Sequence, residues 1–181
     1  MATAPAPGRR GVLVGALAAV GCAVAAPAWA MPRLPRRALA LTQLHTGEQV
    51  DLVYWANGRY VPDALRRIDW LLRDFRTGDV HPIDPHLLDL LAALHQLLRV
   101  RAPIEVLSGY RSPATNAMLA SFSEGVATNS LHLEGRAIDI QVPGRSTAMV
   151  HRAALALRGG GVGYYPRSHF VHLDVGRVRT W

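Results

Sequence analysis

Two short stretches of this chain bring together the residue types that hold a metal ion. In the first, Ser130-Leu131-His132-Leu133-Glu134-Gly135-Arg136-Ala137-Ile138-Asp139, a histidine lies just before an alternating run that carries an aspartate. Ile138 and Ile140 flank Asp139 and should point to the opposite face of a strand. A carboxylate in so apolar a run costs several kcal/mol unless it is paired or coordinated. The second stretch is Ser168-His169-Phe170-Val171-His172-Leu173-Asp174. Val171 and Leu173 point one way in a strand, and His172 and Asp174 point the other. His132 and Asp139 offer two ligands, and His172 is the natural third. Zinc in a hydrolytic site takes three such ligands and keeps a fourth position for water. Short clusters of this kind also arise in ordinary sheets, so spacing alone leaves both readings open.

The elements that must position these residues are legible in outline. Arg37 to Tyr60 reads as two short strands, with turns at His45-Thr46-Gly47 and at Asn57-Gly58. Leu65, Ile68, Leu71 and Leu72 follow helical spacing from Pro62-Asp63 to a stop at Thr77-Gly78. Asp84 caps and Pro85 opens a second helix, whose leucines from Leu87 to Leu98 form a broad apolar face. Ile104-Glu105-Val106-Leu107 reads as a buried strand, Thr115–Ser121 as a helix and Ala137–Val142 as a strand ended by Pro143-Gly144. Thr147–Leu157 reads as a further helix, and strands follow around Val162–Tyr164 and Phe170–Val175. Helices followed by a small, mainly antiparallel sheet define a single-domain α+β fold with helices flanking the sheet. Of the eight histidines, His45, His81, His86, His95 and His151 lie in turns or helices whose pattern explains them structurally.

Composition narrows the setting. Arg9 and Arg10 precede an uncharged run from Gly11 to Ala26, and Ala28-Trp29-Ala30 has the small-x-small pattern of a cleavage site. Residues 1–30 therefore read as an export signal, and the arginine pair hints at twin-arginine export. Residues 31–181 form the predicted domain. Cys22, the only cysteine, leaves with the signal, so the mature chain must build any metal site from histidine and carboxylate. Val20-Gly21-Cys22 loosely resembles a lipoprotein box, which makes a lipid anchor the lesser alternative for membrane attachment. The net charge of +7 is carried by arginine, without lysine. Such a charge draws an exported protein towards anionic polymers such as the cell wall. The arginines are scattered and no nucleic-acid motif accompanies them, which argues against nucleic acid as a partner.

Ser108-Gly109-Tyr110-Arg111-Ser112, the stretch from Ser130 to Asp139, and Phe170-Val171-His172-Leu173-Asp174 together resemble the zinc D-Ala-D-Ala peptidase superfamily, which shares its scaffold with the hedgehog domain. Leu44-His45-Thr46-Gly47-Glu48, Gly159 to Tyr165 and Val178-Arg179-Thr180-Trp181 bring the likeness closer to the MepK-like murein endopeptidases, over roughly Arg37 to Trp181. The resemblance implies a hedgehog/D,D-peptidase-like fold, Zn2+ held by His132, Asp139 and His172, and a periplasmic enzyme cutting peptide cross-links of peptidoglycan at diaminopimelate. It places Arg111 in the substrate pocket, with Ser130 as a weaker carry-over. Many relatives have an acidic base three residues before the third ligand. Here that position is His169, so His169 and Asp174 are the two candidates for the proton transfer. Asp174 has the alternative role of orienting an imidazole. A carboxypeptidase trimming stem peptides and a non-catalytic zinc module that binds wall peptides are the competing functions. The sequence names no adaptor protein.

Overall fold

The hydrophobic alternation of the strands and the leucine face of the second helix resolve into one sheet with helices laid against it. The computed structural model describes residues 1–2, 36–122 and 129–181, so the predicted export signal lies outside the described residues. No helix among the described residues is long and apolar enough to cross a membrane.

Among the described residues the strands are β1 (Arg36–Gln43), β2 (Gln49–Ala56), β3 (Arg59–Tyr60), β4 (Ile104–Ser108), β5 (Ala137–Gln141), β6 (Gly161–Tyr165), β7 (Phe170–Asp174) and β8 (Arg179–Thr180). The helices are α1 (Pro62–Leu71), α2 (Pro85–Leu98), α3 (Pro113–Phe122) and α4 (Thr147–Leu157), with a short 3-10 helix at Leu131–Glu134. All eight strands join one sheet in the order β3-β2-β1-β4-β5-β7-β6-β8. β1 runs parallel to β4 and β6 parallel to β8, while the other neighbours are antiparallel. The domain is thus a mixed α/β fold, and the expected small sheet is corrected in size. The opening hairpin is part of the same sheet, because β1 pairs with β4 across an intervening stretch that includes α1 and α2. β3 and β8 escaped the sequence reading because two residues carry no alternation to read. Helix α1 stops at Leu71, short of Thr77-Gly78, and Leu72 N–H closes it on the Ile68 carbonyl.

Period-two alternation divides the sheet into two faces. Leu39, Leu41, Ile104, Val106, Ile138, Ile140, Val171 and Leu173 are fully or almost fully buried. They belong to one core with Leu87, Leu88, Leu91 and Leu94 of α2 and with Val150 and Ala154 of α4. Asp84 caps α2 as anticipated, its carboxylate accepting from His86 N–H at 2.9 Å. Asp89 of α2 ties the helix to the hairpin: it accepts from Tyr54 at 3.0 Å, Tyr60 at 2.9 Å and Arg37 at 2.6 Å. Burial, reinforced by that carboxylate, pushes the Tyr60 hydroxyl up to about 12.

Leu91 has no exposed surface and sits at the middle of this core. Leu91→Ala is expected to lower the unfolding free energy by about 2–5 kcal/mol, read as a shift in the urea midpoint with the slope unchanged.

Candidate metal centre

The register of two central strands brings the chemistry together. In the antiparallel pair of β5 and β7, Asp139 stands directly opposite His172, so the two side chains project side by side from the same face. Asp139 and His172 occupy the face opposite Ile138, Ile140, Val171 and Leu173, away from the core. His132 arrives from the 3-10 helix that immediately precedes β5. Ser130 caps that helix, its hydroxyl oxygen accepting from His132 N–H at 3.4 Å. Gly135 then reverses the chain with φ of 65°. A Cβ there would collide with the Pro82 carbonyl oxygen, so both the conformation and the space demand glycine.

The three side chains are buried: His132 is 1 % exposed, Asp139 4 % and His172 9 %. Their donor atoms form a triangle. His132 Nε2 is 3.2 Å from His172 Nδ1 and 3.3 Å from Asp139 Oδ1, and His172 Nδ1 is 2.9 Å from the same oxygen. The remaining ring nitrogens are occupied elsewhere. His132 Nδ1–H donates to the Gly109 carbonyl at 2.6 Å, and His172 Nε2–H donates to Asp174 Oδ2 at 3.2 Å. In the neutral tautomers those bonds select, each imidazole therefore turns a lone pair towards the Asp139 carboxylate. Three electron-rich atoms so close together need a cation or a proton between them. Ligands about 2.0–2.2 Å from a tetrahedral zinc lie roughly 3.3–3.6 Å apart, so the triangle is within a few tenths of an ångström of that spacing. The donor set and its geometry fit a zinc ion.

The ionisation of His132 and Asp139 agrees with this arrangement. Burial lowers the His132 pKa, and Asp139 only partly offsets that, so the ring stays neutral and keeps its lone pair. Burial would raise the Asp139 pKa, but His132, His172 and Arg111 together hold it well below the usual carboxylate range. For His172, burial lowers the pKa, but its bonds to Asp139 and Asp174 outweigh it and leave the pKa raised.

The other predicted site residues separate into distinct places. Arg111 reaches the triad: one guanidinium nitrogen pairs with Asp139 Oδ2, and Nε donates to Ser108 Oγ at 2.8 Å. Asp174 has no exposed surface. Besides His172, it accepts from Gly161 N–H at 3.0 Å, Gly176 N–H at 2.8 Å and Arg179 at 2.7 Å and 3.1 Å. His169 is exposed in the turn between β6 and β7 with a left-handed φ of 58°. Among the described residues no hydrogen bond or ion pair joins its ring to the triad; it borders a groove with Glu105 and Gln141 instead. The five histidines read as structural have ordinary partners. His45 stacks on Phe75, His81 on Tyr110 and His151 on Tyr164; His86 meets Asp84, and His95 meets the Ala102 carbonyl.

One supporting residue is invisible to spacing. Asp74, 2 % exposed, sits in a run of charged residues after α1 that reads as solvated surface. Its carboxylate accepts from Ser112 N–H at 2.9 Å and Ser112 Oγ–H at 2.7 Å, and from Arg76 N–H at 3.0 Å. It thereby anchors the loop that carries Arg111.

Two histidines and an aspartate make a donor set that metal hydrolases use, and comparison with known sequences gives the class of enzyme. The family model described as peptidoglycan L,D-endopeptidase MepK matches residues 32–181. The peptidoglycan L,D-endopeptidase MepK of Escherichia coli strain K12 is 42% identical over 175 residues, covering 96% of each chain. The probable peptidoglycan L,D-endopeptidase MepK of Haemophilus influenzae is 44% identical over 154 residues, covering 84% of this chain and 83% of that one. The chain belongs to the MepK family of peptidoglycan L,D-endopeptidases, the branch of the zinc D-Ala-D-Ala peptidase superfamily its motifs resemble.

Burial would raise the Asp74 pKa, but hydrogen bonds from Thr115, Ser112 and Arg76 prevail and lower it to about 2. A depressed folded-state pKa gives stability that is present above the unfolded value near 3.8 and lost as the pH falls through the folded one. Asp74→Asn is therefore expected to cost on the order of 2 kcal/mol at neutral pH. The gap from wild type should close between about pH 4 and pH 2 in denaturation curves taken across that range.

Proposed function

We propose that the chain is a zinc-dependent murein endopeptidase that hydrolyses peptide cross-links of peptidoglycan. The observation that carries this reading is the buried triangle of His132 Nε2, Asp139 Oδ1 and His172 Nδ1, in a chain whose curated relatives are peptidoglycan L,D-endopeptidases. We assign those three residues as the metal ligands and the scaffold as hedgehog/D,D-peptidase-like. Residues 1–30 act as the export signal that delivers the enzyme to the periplasm, where its substrate lies.

Zinc held there supplies Lewis acidity, which both acidifies a water to a pKa of about 7 and polarises a carbonyl. The chain's own residues prepare the ground for that chemistry. Gly109 and Asp174 fix the tautomers of His132 and His172, so that both lone pairs face inward. Arg111 spends Nε on Ser108 and one terminal nitrogen on Asp139, which leaves its other terminal nitrogen to hold a carbonyl or carboxylate of the substrate. Ser130 serves the site by capping the turn that presents His132. Asp174 orients His172: its burial and its donors from four residues suit a fixed anion better than a base that must meet water.

Zinc-loaded protein incubated with purified sacculi should convert cross-linked dimers to monomers, and a chelator should abolish the conversion; mass spectrometry of the released products names the bond. His132→Ala should lose both zinc and activity. Release of D-alanine with dimers intact would replace this reading by a carboxypeptidase, and bound zinc without any product by a binding module. Asp174→Asn should keep the fold but weaken metal affinity roughly 10- to 100-fold, measured by competition with a chromogenic chelator. His169→Ala should retain most of its turnover; total loss would return the proton transfer to His169.

A further inference from the structure

Beside the triad, on the face that carries His172, lies an aromatic shelf that none of the roles assigned above uses. Its floor is Gly163, which stands directly opposite His172 in the pairing of β6 with β7. A Cβ on Gly163 would meet ring atoms of Trp181 and Tyr165, each at 2.8 Å. Both rings therefore lie over β6 on the metal side of the sheet. The Trp181 ring is 5.2 Å from the His172 ring, centroid to centroid. Tyr165 stacks on Phe170 at 4.4 Å. The shelf faces outward, with Trp181 49 % exposed and Tyr165 half-buried.

The shelf is rigidly held. Trp181 N–H donates to the Val162 carbonyl at 3.3 Å, and its carbonyl accepts from Tyr164 N–H at 2.9 Å. The Arg179 guanidinium lies 4.8 Å from its ring centroid while bonding Asp174. The telling contact is Trp181 Nε1 to Tyr165 Oη at 2.8 Å. An indole N–H can only donate, so the phenol oxygen is the acceptor there. The phenol's own proton is then directed away from the indole, and among the described residues no protein group receives it.

We propose that Tyr165 and Trp181 form a substrate-positioning pair, in which the indole N–H fixes the Tyr165 hydroxyl so that it donates to a backbone carbonyl of the stem peptide. The aliphatic part of the same peptide lies on the exposed indole. This rests on the endopeptidase reading for the identity of the ligand. Tyr165 is aligned with Phe170, two residues along β7 from His172, or about 7 Å. Its ring reaches back from there over Gly163, opposite His172, so one extended peptide with a carbonyl at the triad can also meet the hydroxyl.

The test uses the full zinc-loaded protein and a purified cross-linked muropeptide dimer, with wild type, Tyr165→Phe, Trp181→Phe and the double variant compared. Tyr165→Phe should lower kcat/KM roughly 3- to 10-fold, the worth of one neutral hydrogen bond, chiefly through KM, with zinc content and melting temperature unchanged. Trp181→Phe keeps an aromatic wall but loses the N–H, so it should lose less. The double variant should be no worse than Tyr165→Phe, because Phe keeps the aromatic wall and the indole N–H acts only through the hydroxyl. Wild-type kinetics in Tyr165→Phe, or losses that multiply in the double variant, would overturn the pair. Titration calorimetry of the dimer onto the same proteins separates this from the wider reading. Weaker binding by Tyr165→Phe when wild type cuts nothing would keep the pair and discard the endopeptidase. Equal binding by both proteins, or none by either, would discard the pair.

Discussion

Asp139 is a charged carboxylate placed in the middle of a sheet, on a strand whose flanking isoleucines, Ile138 and Ile140, belong to the core. Removing such an ion from water costs several kcal/mol even after relaxation, and the surroundings are organised around offsetting that cost. Arg111 neutralises one oxygen. The other oxygen faces two imidazole nitrogens that carry no proton, because each ring holds its proton on the opposite nitrogen and donates it to the Gly109 carbonyl or to Asp174. The arrangement is electrically complete only with a positive charge at the centre of the triangle. The site and the stability of the central strands are in this sense one problem, because the charge that chemistry needs is the charge the core must tolerate.

What surrounds the three donors is mostly main chain and small residues. The Gly109 carbonyl holds His132, and Gly109 itself packs so close to Leu72 that a Cβ would lie 2.6 Å from the Leu72 carbonyl oxygen. Gly161 and Gly176 donate their amides to Asp174, and Gly163 leaves room for the aromatic rings. Asp74 holds Ser112 and with it the loop of Arg111. Side chains held by backbone donors and acceptors of a rigid sheet lose little further freedom when a ligand arrives, which is the physical meaning of preorganisation here.

Much of this was legible from residue types and spacing. The second helix, its Asp84 cap and its leucine face follow from local rules that tertiary context did not override. The strands carrying Asp139 and His172 showed themselves by alternation, and the oddity of a lone carboxylate between isoleucines pointed to the triad. What could not be read depends on partners far apart in sequence. The pairing of β1 with β4, the two-residue strands β3 and β8, and the contact of Asp74 with Ser112 leave no periodic trace. The roles of His169 and Asp174 were ambiguous for the same reason. Both are polar residues near His172 in sequence, and the proposed assignment rests on the count of donors around Asp174 and the left-handed turn at His169, neither of which shows in spacing.

Register is the link between fold and chemistry. Because successive side chains of a strand alternate between faces, a slip of one residue in the pairing of β5 with β7 would exchange every inward side chain for its outward neighbour. Asp139 and His172 would enter the helix-covered core, while Ile138, Ile140, Val171 and Leu173 would face water. Both consequences are unfavourable at once, one through desolvated charge and the other through exposed hydrocarbon. The apolar residues on one face of β5 and β7 thus enforce the alignment of Asp139 with His172 on the other. The same reasoning explains why the open face can afford glycine at Gly161 and Gly163. The register is fixed from the core side, so those positions are free to leave space beside the donor triangle.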